Sequence, residues 1–171
     1  MVQKLIKFIT MEEGKKIIAA EKNKKFKLAF ALALGSGLRI SEVVGWKDKI
    51  KPLTVEQINL TTHTIRIFGK GGKERITVTS PMLNEENLKQ LPIIMPRRAL
   101  QYRIKVLGKK VLGKDISFHT LRHGFANFMV NEKNIPLPML QSMLGHSRLD
   151  TTGIYVKSNP VQAINTAWEQ F

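Results

Sequence analysis

The run "KFKLAFALALGSG", residues 25–37, is apolar almost all round. A helix with no polar face cannot lie on a surface and must be wrapped by other elements. Gly35 and Gly37 predict its end, because glycine takes the left-handed conformation that closes a helix without steric cost. This stretch therefore demands a central helix and enough chain to enclose it. The 171 residues suit one domain with a sizeable core.

The enclosing elements follow from local signals. Thr10-Met11-Glu12-Glu13 is a capping box that opens a helix running to about Glu21. "RISEVVGW" predicts a short helix with Arg39 or Ser41 near its start. In "VEQINLTTHTIRIFGKGGKERITVTS" the period changes to two. Ile65 and Ile67, then Ile76 and Val78, alternate with polar residues about a glycine-rich loop near 70–73, which predicts a hairpin. A strand around Val55–Leu60 would make the sheet three-stranded. The chain is then polar from Pro81 to about Leu91, with "PIIMP" as a connector. Helices are predicted over 97–112, over 119–132 and across "PMLQSMLGH" to Gly145, with a turn about Tyr155 and a terminal helix after Pro160. The fold class is α+β: one mostly helical domain, 1–171, carrying a small three-stranded antiparallel sheet.

Charge narrows the partners. Lys and Arg number 28 against 13 acids, a net +15 with a pI near 10.2. Solubility needs only about 2–8 charges on a small domain, so the excess points to a polyanion. Nucleic acid stands ahead of an anionic membrane surface, since no basic amphipathic anchor stands out. No apolar run approaches the ~18 residues a bilayer requires. Glu12 and Glu13 interrupt the N-terminus before any long apolar region, so no signal peptide is expected. The absence of cysteine excludes disulfides and thiolate metal sites. A soluble, cytoplasmic protein is the expectation.

"FHTLRHGF", residues 118–125, sets His119 and His123 on one helix face. A zincin motif would place a glutamate beside the first histidine; this one has none, and Arg122 would repel a dication. Arginine and histidine together suit an anion better. The guanidinium fork matches phosphate oxygens, and imidazole donates a hydrogen bond or exchanges a proton near neutrality. A phosphodiester under attack needs several such donors, and the chain offers more. Arg39 lies in "GLRISE" with Glu42 three residues on, and Lys70 and Lys73 lie in "FGKGGKER". His146 lies in "LGHSRLDTTGIY", nine residues before Tyr155.

The ordered set "GLRISE … GKGGKER … HTLRHGF … LGHSRLDTTGIY" resembles the catalytic domain of the tyrosine recombinases, the phage-integrase family, over roughly residues 10–157. The resemblance implies a site-specific recombinase or integrase. In such an enzyme a tyrosine hydroxyl attacks a DNA phosphodiester, forming a 3′-phosphotyrosine and freeing a 5′-hydroxyl. Tyr155 matches the nucleophile. Arg39 and Arg122 match the arginines that clamp the phosphate, Lys70 the lysine that protonates the leaving oxygen, and His119 the histidine that handles the nucleophile's proton. His146 matches the last donor and Glu42 an acidic supporting residue. Lys73 is a rival for Lys70. His123 is assigned to packing or a supporting hydrogen bond, and Tyr102 to packing or a DNA-backbone contact. Lys73, Arg75, Arg97 and Arg98 are expected to contact DNA.

Free tyrosine has a pKa of about 10 and is a poor nucleophile at neutral pH. Two arginines, a lysine and two histidines would favour its phenolate and the charged transition state, so no metal, ATP or other cofactor is expected. The expected partner is double-stranded DNA, with a tetramer on DNA in the full-length form and a monomer or weak oligomer alone. The family's N-terminal DNA-clamping domain is expected to be absent, since the catalytic domain begins almost at Met1. The segment after Tyr155, with Trp168, would dock on a neighbouring protomer or fold back on its own core. A type IB topoisomerase-like nicking and closing activity and a silent DNA-binding accessory factor are the alternatives, with a metalloenzyme last.

Overall fold

The computed structural model describes residues 9–69 and 73–145. Helix α1 (Met11–Ala20) opens with the expected capping box: the Thr10 hydroxyl accepts from the Glu13 amide while the Glu13 carboxylate accepts from the Thr10 amide. Helix α2 (Lys24–Ser36) is capped by the Asn23 side chain and closes at Gly37, whose φ of 71° is left-handed. A Cβ at Gly37 would also lie 2.6 Å from the Phe125 ring, so both backbone and space require glycine there.

Every residue of α2 from Leu28 to Ser36 is buried. Helix α2 packs against α1, the short α3 (Ile40–Val44), α5 (Arg97–Leu112) and α6 (Phe118–Asn131), and against strand β3 (Glu74–Val78). Leu28, Phe30, Leu32 and Leu34 are at most 1% exposed, and burying each side chain contributes on the order of 1.5–3 kcal/mol. The all-apolar run is thus the axis of the domain. Glu21, just past α1, is buried and takes the Arg103 guanidinium of α5 at 2.6 Å, tying the outer helices together. Helix α6 also faces a second apolar cluster, in which Phe125 and Ala126 meet Leu140 and Leu144 of α7 (Leu137–Leu144).

The sheet is antiparallel in the order β1 (Ile58–Asn59), β2 (Thr64–Phe68), β3. The expected first strand is mostly a 3-10 turn, Val55–Gln57, with only two paired residues after it. A one-turn helix, α4 (Glu85–Leu88), capped by Asn84, lies within the stretch read as polar connector. The hairpin differs more usefully. Its register sets Ile65 opposite Thr77 and Ile67 opposite Arg75. Ile65, Ile67 and Thr77 are buried and Ile76 is 54% exposed. Side chains alternate faces along a strand, so Ile76 points outward, against the pattern read from its hydrophobicity. Arg75 shares the inward face with Thr77. The Thr77 hydroxyl donates to the Ser36 carbonyl at the end of α2, joining sheet to helix.

Among the described residues no helix is long and apolar enough to cross a membrane. The turn about Tyr155 and the terminal helix lie outside them.

Candidate functional site

Two helix ends and two helix starts meet at the site. Helix α2 stops at Gly37, and one extended residue, Arg39, starts α3. Helix α6 starts nearby, with Ser117 as its cap, so His119 falls in the first turn and Arg122 one turn on. The third participant is the C-terminal end of α7, closed by Gly145 at φ 63°.

A helix end leaves its last carbonyls without partners inside the helix. Here the Gly145 amide turns back to the carbonyls of Gln141 and Ser142. The next three carbonyls each go to a different arginine. Met143 accepts from Arg75 Nε at 2.8 Å, Leu144 from Arg122 Nη2 at 2.7 Å, and Gly145 from Arg39 Nη2 at 3.3 Å. The carbonyl end of the helix dipole favours such cations. Arginines from a hairpin strand, helix α6 and the α2–α3 turn therefore converge on one helix terminus.

The three differ in exposure. Arg122 is buried, and its Nη1 also donates to the Gly37 carbonyl, so its guanidinium bridges the ends of α2 and α7. Arg39 is the outward one, with 38% of its side chain open. Arg75 turns inward: its side chain is 9% exposed and its two terminal nitrogens grip Glu42 at 2.6 and 2.9 Å. The expected DNA contact by Arg75 is therefore replaced by an internal ion pair, because the hairpin register aims this side chain at α3.

Glu42 is buried and takes four donors: the Arg75 pair, the Arg39 amide at 2.7 Å and the Arg39 Nη1 at 3.1 Å. Burial pushes its carboxyl pKa up. The Arg75 hydrogen bonds and charge, with those of Arg39, outweigh burial and hold it below the ordinary value. Glu42 thus remains ionised inside a basic site and fixes two arginines at once.

The histidine pKa values are lowered as well, but here burial acts with the neighbouring charges and the effect is to keep the rings neutral. His119 is exposed, yet desolvation, followed by the charges of Arg122 and Arg39, lowers its pKa. His123 is half-buried, and desolvation, then His119 and Arg122, pushes it down to about 4. The two rings meet edge to face with centroids 4.2 Å apart. Both are neutral at pH 7, so each ring has one donor and one acceptor nitrogen. Among the described residues no group of three or more His, Asp or Glu side chains is gathered in a way that could hold a metal ion.

Lys73 is exposed where the hairpin loop closes, with the Gly69 amide donating to its carbonyl at 2.8 Å. Arg97 and Arg98 are exposed in the first turn of α5, and Arg97 lies over the Trp46 ring at 5.3 Å. Two cations there oppose the helix dipole. Tyr102 is 73% exposed, which removes core packing as its role. Lys70, His146, Tyr155 and Trp168 lie outside the described residues. What sequence reading missed is the set of backbone acceptors, Gly37 and Met143 to Gly145, and the inward aim of Arg75. A hairpin closed about residue 71 pairs Ile67 with Arg75, and that register was the available signal.

A model of the phage integrase family matches residues 90–161. The chain is 31% identical over 172 residues to tyrosine recombinase XerA of Pyrococcus horikoshii, covering 90% of this chain and 57% of that one. It is 34% identical over 151 residues to tyrosine recombinase XerD of Shewanella oneidensis, covering 75% of this chain and 48% of that one. In three dimensions it is similar to XerH site-specific recombinase bound to difH DNA before cleavage, with TM-score 0.74 and 20% identity, over 98% of this chain and 55% of that one. The chain thus spans about half the length of these relatives.

Proposed function

The chain belongs to the tyrosine recombinase (phage integrase) family, whose catalytic domain it carries, and from that premise we propose that it cuts and rejoins double-stranded DNA as a site-specific recombinase. The Tyr155 oxygen attacks the scissile phosphorus, and the bond from phosphorus to the 5′ oxygen breaks. A 3′-phosphotyrosine remains, and the 5′ oxygen leaves as a hydroxyl. The tyrosine proton passes to His119, whose lowered pKa keeps it able to accept. Lys70, with Lys73 as its rival, protonates the leaving oxygen. Arg39, Arg122 and His146 hold the non-bridging oxygens, where charge grows. A 5′-hydroxyl from another strand reverses the step, and because the phosphotyrosine retains the phosphoester bond, rejoining needs no ATP.

One observation carries the reading. Arg39 and Arg122, far apart in sequence, anchor on the adjacent carbonyls of Gly145 and Leu144, and their charges both reach His119. Such a cluster is built for a phosphate rather than a carboxylate substrate or a metal. The net charge of +15 and the exposed Lys73, Arg97 and Arg98 supply a surface for the DNA backbone. The relatives are recombinases by name, which favours recombination over the nicking–closing and accessory readings. Cytoplasmic action and self-association on DNA are parts of the same proposal.

Incubation with a nicked suicide substrate in EDTA tests it. A covalent protein–DNA adduct that disappears in Tyr155→Phe is expected, and folded protein that forms no adduct overturns the reading. Binding should weaken steeply with salt, because phosphate contacts release counterions; a flat response contradicts it.

A further inference from the structure

Arg75, like Arg122, does not face outward, but it alone of the three lies on the hairpin. Each of its three nitrogens points into the protein, Nε to the Met143 carbonyl and both terminal nitrogens to Glu42. Its alkyl chain is also enclosed, since a Cβ at Gly145 would lie 2.7 Å from Arg75 Cδ.

The bonds join three separate pieces of the site. Arg75 sits on β3, which leads out of the loop that holds Lys70. Through Glu42 it reaches Arg39, because the same carboxylate oxygen that takes Arg75 Nη1 at 2.6 Å takes Arg39 Nη1 at 3.1 Å. Through Met143 it reaches the end of α7, one residue before the carbonyl that orients Arg122. Resting on the recombinase reading, we propose that Arg75 is a positioning residue. Through Glu42 and the Met143 carbonyl it locks the hairpin, α3 and α7 in the register in which Arg39 meets the phosphate. Only a planar fork can grip both carboxylate oxygens while a third nitrogen serves a carbonyl; lysine offers a single point of charge. Without Arg75, Glu42 would keep Arg39 but lose the partner that sets its own rotamer.

The experiment measures single-turnover adduct formation by the full chain on a nicked suicide substrate, with DNA affinity measured separately. The wild-type adduct is the control for the recombinase reading; its absence sinks that reading and not this one. With the adduct present, Arg75→Lys should slow the rate at saturating DNA roughly ten- to hundredfold, as small misplacements of a clamping group do. The DNA Kd should change less than about threefold, because exposed phosphate contacts are untouched. In an Arg39→Lys background the further loss should shrink to under about threefold, since the group being positioned is already altered. A purely architectural role would lower the melting temperature and the adduct yield but leave the rate constant alone. An unchanged rate, losses that multiply independently, or a Kd that rises in proportion to the loss of rate each overturns the proposal. If Arg75→Lys does not fold, Glu42→Gln takes its place in the cycle with the same expected split.

Discussion

Arg122→Lys tests whether one guanidinium holds two helix ends together. Arg122 Nη1 donates to Gly37, the closing residue of α2, and Nη2 donates to Leu144, the last residue of α7. A lysine ammonium keeps the charge but cannot span both carbonyls, so one loses its donor in a buried setting. Hydrogen bonds from charged groups contribute about 1.5–3 kcal/mol, and stranding a buried acceptor costs about 1–3 kcal/mol. The two estimates describe the same lost bond, so they do not add, and the expected loss is about 2–3 kcal/mol. For a chain of this size that lowers Tm by roughly 4–12 °C. Urea unfolding followed by circular dichroism, at constant m-value, gives the free energy directly. A variant within about 1 °C of the parent would refute the bridge, whatever happened to DNA cleavage.

Other consequences follow from the same geometry. His123 has a folded pKa of about 4 against an ordinary 6.5, so between those values the unfolded chain binds a proton that the folded chain refuses. Stability should therefore be full above pH 6.5 and fall as pH drops towards 4, by at most about 3 kcal/mol; His119 adds in the same direction. His123→Asn should flatten that slope in denaturant titrations, and an unchanged slope would assign it elsewhere. Gly145→Ala forces a side chain into a left-handed position against Arg75, so a loss of roughly 1–2 kcal/mol is expected, with slower adduct formation; equal stability and rate would count against the α7 hub. Ile76→Thr, on the open face, should change stability by less than about 0.5 kcal/mol. Thr77→Ala, which strands the Ser36 carbonyl, should cost about 1–2 kcal/mol. The reverse order would mean the hairpin register is wrong.

The helical frame was legible because its signals are local. The Thr10 capping box, the closures at Gly37 and Gly145, and the all-apolar face of α2 each depend on neighbouring residues alone, and each stands where expected. The hairpin was legible in place but not in phase. Ile76 looks like core, yet Arg75 takes the inward direction, and the ion pair with Glu42 is a contact 33 residues apart. Arg39, Glu42, His119 and Arg122 could be singled out by type and order. That Arg39 and Arg122 share the carbonyl end of α7 as a scaffold could not, because backbone acceptors look alike in every sequence. Burial likewise decides what a cation can do: Arg75 and Arg97 are both arginines in basic stretches, and only the fold separates the one turned inward from the one on the surface.

The Glu42–Arg75 pair also bears on how such domains can be recombined by design. The carboxylate lies on α3 and the guanidinium on β3, so exchanging the hairpin between related chains exchanges half of an interaction. A donor hairpin with any other residue at the position of Arg75 would leave a buried anion with its main counterion removed. A chimaera should therefore tolerate a new hairpin tip, which closes on itself from Gly69 to Lys73, far better than a new strand. The workable cut points fall inside the loop, with Glu42 and Arg75 kept as one inherited unit.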